Sequence, residues 1–174
     1  LSLLMFLFLE FSFYFTSLVL FLVAAGTDWV DGYWARRFNQ ITQLGRILDP
    51  FADKLIICGT FVYLAAAPGS LIAPWMAVVI IARELLVTAL RSFLEQQGAD
   101  FSAKLSGKLK MLLQCTAAAL CIYRLTYYDV EARVWLEPPR ALDVLLIASA
   151  WGAVLLTIYS GVVYVAAAIR LLRA

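Results

Sequence analysis

Four aspartates stand apart by their spacing. Asp28 and Asp31 lie three residues apart, Asp49 and Asp53 four apart, and a short polar stretch separates the pairs. On a helix either spacing puts both carboxylates on one face. Four of the chain's 12 acidic residues thus fall within 26 positions. No His occurs among the 174 residues, which removes imidazole ligands and His-based acid–base chemistry. A metal here must sit on carboxylate oxygens, and such donors select hard ions such as Mg²⁺ or Mn²⁺. Ions held this way polarise a phosphoryl oxygen and stabilise the entering and leaving groups of a displacement. The plainer alternative is ordinary ion pairing at helix ends, with Arg36, Arg37, Arg46 and Lys54 close by in sequence.

The elements that must position these acids are written in the apolar pattern. The chain is 64% hydrophobic and its mean hydropathy is +0.87. A soluble domain is about half apolar, so the excess calls for a lipid-facing surface. Apolar runs at 1–9, 11–30, 47–67, 71–94, 111–125 (extending back through Gly107) and 142–172 predict an all-α integral membrane protein, a six-transmembrane-helix bundle in one domain over 1–174. The breakers Pro68-Gly69-Ser70 and Pro138-Pro139 punctuate it. The first run opens on Leu1 rather than Met and reads as the tail of a truncated first helix; no basic segment precedes it, as a signal peptide would need. Cys58, Cys115 and Cys121 lie at unrelated spacings in apolar stretches and read as small buried hydrophobes. A net charge of +2 offers a nucleic acid no electrostatic support.

Orientation follows from the basic residues. Arg36, Arg37, Arg46, Arg91, Lys104, Lys108, Lys110, Arg170 and Arg173 fall on the side of the 31–46 and 95–110 connections, against Arg124, Arg133 and Arg140 on the other. The side richer in Lys and Arg reads as cytoplasmic. The second and third helices are joined by a short loop, which makes them antiparallel neighbours and brings the four acids together at the cytoplasmic edge. Burying four anions there is costly unless cations neutralise them. Gly32 and Ala35 lie on or beside the Asp31 face, and Gly45 precedes Asp49 by one turn if the helix reaches that far. Missing side chains at such places admit a ligand close to the backbone.

Asp28-x2-Asp31-Gly32-x2-Ala35-Arg36-x8-Gly45-x3-Asp49-x3-Asp53 resembles the full motif of the CDP-alcohol phosphatidyltransferase family, with all eight positions matched. The resemblance implies a six-helix homodimer with its active site at the cytoplasmic face of a bacterial inner membrane. It implies that Asp28, Asp31 and Asp49 bind metal, with Asp53 completing a site for two Mg²⁺ or Mn²⁺ ions and acting as general base on an acceptor hydroxyl. Asp28, Gly32, Ala35, Arg36 and Gly45 would hold the CDP group, Arg36 pairing with its diphosphate. The phosphatidyl donor would be CDP-diacylglycerol.

The acceptor is read from the second half. The runs Ile80-Ile81-Ala82-Arg83-Glu84-Leu85-Leu86 and Ala103-Lys104-Leu105-Ser106-Gly107-Lys108 are similar to the bacterial branch of the family that uses glycerol 3-phosphate. That dianion needs cations beyond those on the diphosphate, and Arg83, Arg91, Lys104 and Lys108 are the candidates, with Lys110 on the same side. Arg83 paired with Glu84, and interfacial lysines, are the plainer readings. Gln114 can bond across helices without touching substrate. Trp75, Tyr128 and Trp135 fit interface belts or packing. A phosphatidylglycerol, inositol-phosphate or serine acceptor is the alternative within the family. A cation transporter is the alternative outside it, although transit acids usually sit nearer mid-bilayer.

Overall fold

The computed structural model describes residues 1–38, 43–96, 105–129 and 134–173, with side-chain surroundings given for 1–27, 54–90, 92, 109–129, 134 and 136–170. These residues form α1 (Ser2–Glu10), α2 (Tyr14–Phe38), α3 (Gln43–Ala66), α4 (Pro74–Gln96), α5 (Leu105–Leu125) and α6 (Arg140–Arg173). Each apolar run of the sequence carries one helix, so the all-α expectation holds. Boundaries shift where the runs turn polar: α2 continues past position 30 to Phe38, and α3 begins at Gln43 rather than 47. Hydropathy marks where apolar contact ends, whereas the backbone ladder continues as long as its carbonyls find partners. The 126–140 segment is not featureless. It holds a two-residue antiparallel ladder, β1 (Tyr128–Asp129) with β2 (Val134–Trp135), pairing Tyr128 with Trp135.

The bundle is organised around α5, which packs on α6, α2 and α3. Helix α6 also packs on α4, α4 on α3, and α1 against both α2 and α3. Small residues line the buried stretches of two of these helices: Ala117, Ala118 and Cys121 of α5 and Ala150 and Ala153 of α6 are all buried, and short side chains let helix backbones approach. Gly59 does the same for α1. A Cβ there would stand 2.4 Å from the Phe6 ring, and that ring stacks on Tyr63 at 5.4 Å.

One end of the bundle is closed by a clamp. Arg124, at the end of α5, donates from Nε to Asp143 of α6 at 2.6 Å and from Nη1 to the Gly69 carbonyl. Cys121 Sγ meets the Ser70 carbonyl at 3.1 Å. The expected Pro68-Gly69-Ser70 turn is therefore real, with Gly69 at φ 69°, a conformation that favours glycine.

Polarity is inverted relative to a soluble protein. Leu3, Phe15, Val78, Leu112, Val144, Leu155 and Val162 are exposed, while Ser17, Thr60, Gln114, Thr157 and Ser160 are buried. Ser17, Thr60, Thr88 and Thr116 each return their hydroxyl to a carbonyl one turn back on their own helix, the arrangement a polar group needs where no water is at hand. Among the described residues, one helix is long and apolar enough by itself to cross a membrane, over Arg140–Arg170 at mean hydropathy 2.1. Tyr14–Thr27 and Lys54–Ala66 are shorter apolar stretches. Among the described residues, helix length and composition therefore do not by themselves establish six spans.

Candidate active site

Helix α2 carries Asp28, Asp31, Gly32, Ala35 and Arg36, and α3 carries Gly45, Asp49 and Asp53. Positions 28, 31, 32 and 35 follow the i, i+3, i+4, i+7 rule and make one stripe along α2. Because α3 begins at Gln43, Gly45 is inside the helix, one turn before Asp49 and two before Asp53 on a shared face. Pro50 stands well past the first turn of α3, where it supplies no N–H to the Arg46 carbonyl. The side chains of these motif residues lie outside the described ones, and so does the expected meeting of their carboxylates. The donor chemistry of the two pairs, all oxygen and no imidazole, suits a hard divalent ion. Among the described side chains no other group of three acids or thiols gathers.

The depth of the motif follows from the helices. Tyr14 at the start of α2, Ala66 at the end of α3 and Leu125 at the end of α5 line one cleft. Measured from that end at the helical rise per residue, Asp28, Asp53 and Lys110 each stand on the order of 20 Å along their helices. The two acids and the lysine therefore stand at similar distances along their own helices from that end.

Around Lys110, α4, α5 and α6 build a buried charged layer. Glu84 Oε1 accepts from Arg83 Nη1 at 3.3 Å and from Lys110 Nζ. The Arg83 side chain is 10% exposed. Its Nε donates to Ser160 Oγ at 3.1 Å, and its guanidinium lies over the Tyr164 ring, 5.7 Å from the centroid. A Cβ on Gly161 would meet Arg83 Cγ at 3.3 Å, so glycine there makes room for the arginine stem. One turn deeper on α5, Gln114 Nε2 donates to Thr157 Oγ1 at 3.2 Å, the cross-helix bond expected of it. Helix α3 passes beside the layer, with Lys54 and Cys58 near enough to feel the charges of Glu84 and Lys110.

Arg83 is thus held by Glu84, Ser160 and Tyr164. Arg91 lies on α4 and Lys108 on α5, their side chains outside the described ones; Lys104 lies outside the described residues. The partnership missed by sequence reasoning is Lys110 with Glu84. Its signal was present: each charge interrupts an apolar run, and a charge in such a run demands a partner.

The chain thus carries two aspartate pairs on two helices and buries Arg83 and Lys110 within an apolar bundle. The family model described as CDP-alcohol phosphatidyltransferase matches residues 1–159, and the chain belongs to that family. A protein of Bacillus subtilis (strain 168) named CDP-diacylglycerol–glycerol-3-phosphate 3-phosphatidyltransferase is 40% identical over 144 residues, covering 82% of this chain and 68% of that one. Proteins of the same name from Escherichia coli (strain K12) and Shigella sonnei (strain Ss046) are each 35% identical over 156 residues, 88% of this chain and 79% of theirs.

Proposed function

We propose that this chain transfers the phosphatidyl group of CDP-diacylglycerol to glycerol 3-phosphate, giving phosphatidylglycerophosphate and CMP. The observation that carries the reading is the intact eight-position motif, set on continuous helices, in a chain whose relatives bear that name at 35% and 40% identity. The buried cations Arg83 and Lys110 support an acceptor that is itself anionic.

The residues divide the work as follows. Asp28, Asp31, Asp49 and Asp53 would hold two divalent ions, Mg²⁺ or Mn²⁺, which would supply positive charge to offset the diphosphate. Gly32, Ala35 and Gly45 leave space for the cytidine nucleotide against the helix backbones, and Arg36 pairs with the diphosphate. An alcohol is a weak nucleophile at neutral pH, so Asp53 takes its proton as the oxygen attacks the phosphatidyl phosphorus. A new P–O bond forms to the acceptor while the bridging P–O bond breaks, and the electron pair leaves with CMP. Arg83, Arg91, Lys104 and Lys108 attract the acceptor's phosphate.

The working unit is a homodimer in a bacterial cytoplasmic membrane, each chain crossing it several times with the site facing the cytoplasm. The exposed apolar side chains on every long helix support immersion in lipid. The test uses purified protein, labelled CDP-diacylglycerol and a panel of acceptor alcohols. CMP release is expected with glycerol 3-phosphate, to be lost on chelation and restored by Mg²⁺ or Mn²⁺. Release with another acceptor only, or activity indifferent to chelation, sinks the corresponding part of the reading.

A further inference from the structure

Glu84 lies outside the eight-position motif, yet it joins two cations through one atom. Its Oε1 receives both Arg83 of its own helix and Lys110 of α5. The three side chains are only 10%, 14% and 6% exposed for Arg83, Glu84 and Lys110 respectively. Two cations so close repel strongly where water is scarce, and a shared carboxylate lets both stay charged side by side. Counted by formal charge, the triad holds two cations and one anion.

The surroundings remove its freedom to move. Ser160 and the Tyr164 ring hold Arg83 from the α6 side, and Glu84 sets the direction of Lys110. Lys110 stands about as far along α5 as Asp28 and Asp53 do along their helices, and Lys54 and Cys58 of α3 lie within the triad's electrostatic reach. The cluster sets two basic side chains against one carboxylate. The surplus cation, held rigid beside the helices that bear the motif, is what an anionic ligand group requires.

The geometry points to Glu84 as a positioning residue: it fixes Lys110 and Arg83 as one rigid cationic edge that receives the anionic group of the acceptor. Which molecule carries that anion rests on the function proposed above. Lys110 thereby joins the acceptor side of the site, and Glu84 acts through it without touching substrate.

The experiment compares KM values for the two substrates on the full chain in lipid–detergent micelles. Glu84→Gln is expected to raise KM for glycerol 3-phosphate about tenfold while KM for CDP-diacylglycerol changes less than about twofold. Glu84→Asp keeps the charge and should recover most of the loss. Glu84→Gln strands a buried ammonium and can cost the fold, so the double variant Glu84→Gln/Lys110→Met removes both charges together. It is expected to melt near the wild-type temperature and still show the raised acceptor KM. Were the pair merely structural, the folded double variant would regain both KM values. That result, or equal losses against both substrates, overturns the assignment. If the wild-type chain releases CMP only with a different acceptor, the proposed function fails, and the same comparison run on that acceptor still decides Glu84.

Discussion

At Asp53 a carboxylate is asked to act as a base within a turn of Asp49, on a helix with apolar neighbours on its far side. Its two proposed duties, ligand and base, both need the ionised form, so an amide of the same size should fail at each. Asp53→Asn is expected to lower CMP release by about a thousandfold, within the range of a lost general base. The helical circular dichroism should stay unchanged, because an amide fits the same helix position. Retained turnover in a folded Asp53→Asn protein would remove Asp53 from the chemistry. Arg83 shows the reverse lesson about a single residue. Sequence spacing set it beside Glu84, but its bonds to Ser160 and Tyr164 come from residues about 80 positions away. Planar guanidinium geometry suits that hydroxyl and ring together, which an ammonium does not.

Among the elements, α1 is seated on both α2 and α3, and its contact with α3 has a specific fit. Phe6 fills the space that Gly59 leaves and lies on Tyr63. A methyl group at Gly59 would push into that ring, so Gly59→Ala is expected to destabilise the protein by roughly 1–3 kcal/mol, the usual range for overpacking. Thermal melting in detergent measures it. Phe6→Ala in the same chain should give back part of the loss, since the two changes share one space. If Gly59→Ala melts as the wild type does, α1 is not seated as described. Helices α2 and α3 make a different point: both run into the polar stretch, so the motif lies on continuous helix rather than on a loop, and side-chain spacing along it is set by the helical repeat.

The whole molecule combines an apolar outside with a polar layer at one end. Helix α6 spans 34 residues, about 51 Å by helical rise against a hydrocarbon thickness of about 30 Å. In the proposed membrane a helix that long either tilts or extends beyond the bilayer, and Arg170 near its end is exposed. The proposed orientation puts the Arg124 clamp outside and Arg170 inside. In a chain whose Cys58, Cys115 and Cys121 are replaced by Ala, Glu137→Cys should react with a membrane-impermeant maleimide in intact spheroplasts. Arg170→Cys should react only after lysis. The opposite pattern would invert the topology.

The sequence by itself determined the number and approximate place of the helices, because apolar runs and breakers are local signals. It also determined the family, because eight residue types at fixed offsets act on neighbours one or two turns away along helices. The role of Gln114 in joining helices was legible too, since a buried amide must find a partner. Only the tertiary structure decided that Glu84 belongs to Lys110 as much as to Arg83. It also brought Ser160 and Tyr164 of α6 to Arg83 of α4. Those facts depend on how α4, α5 and α6 pack, and packing follows from side-chain shape and volume across helices distant in sequence, which no local pattern encodes.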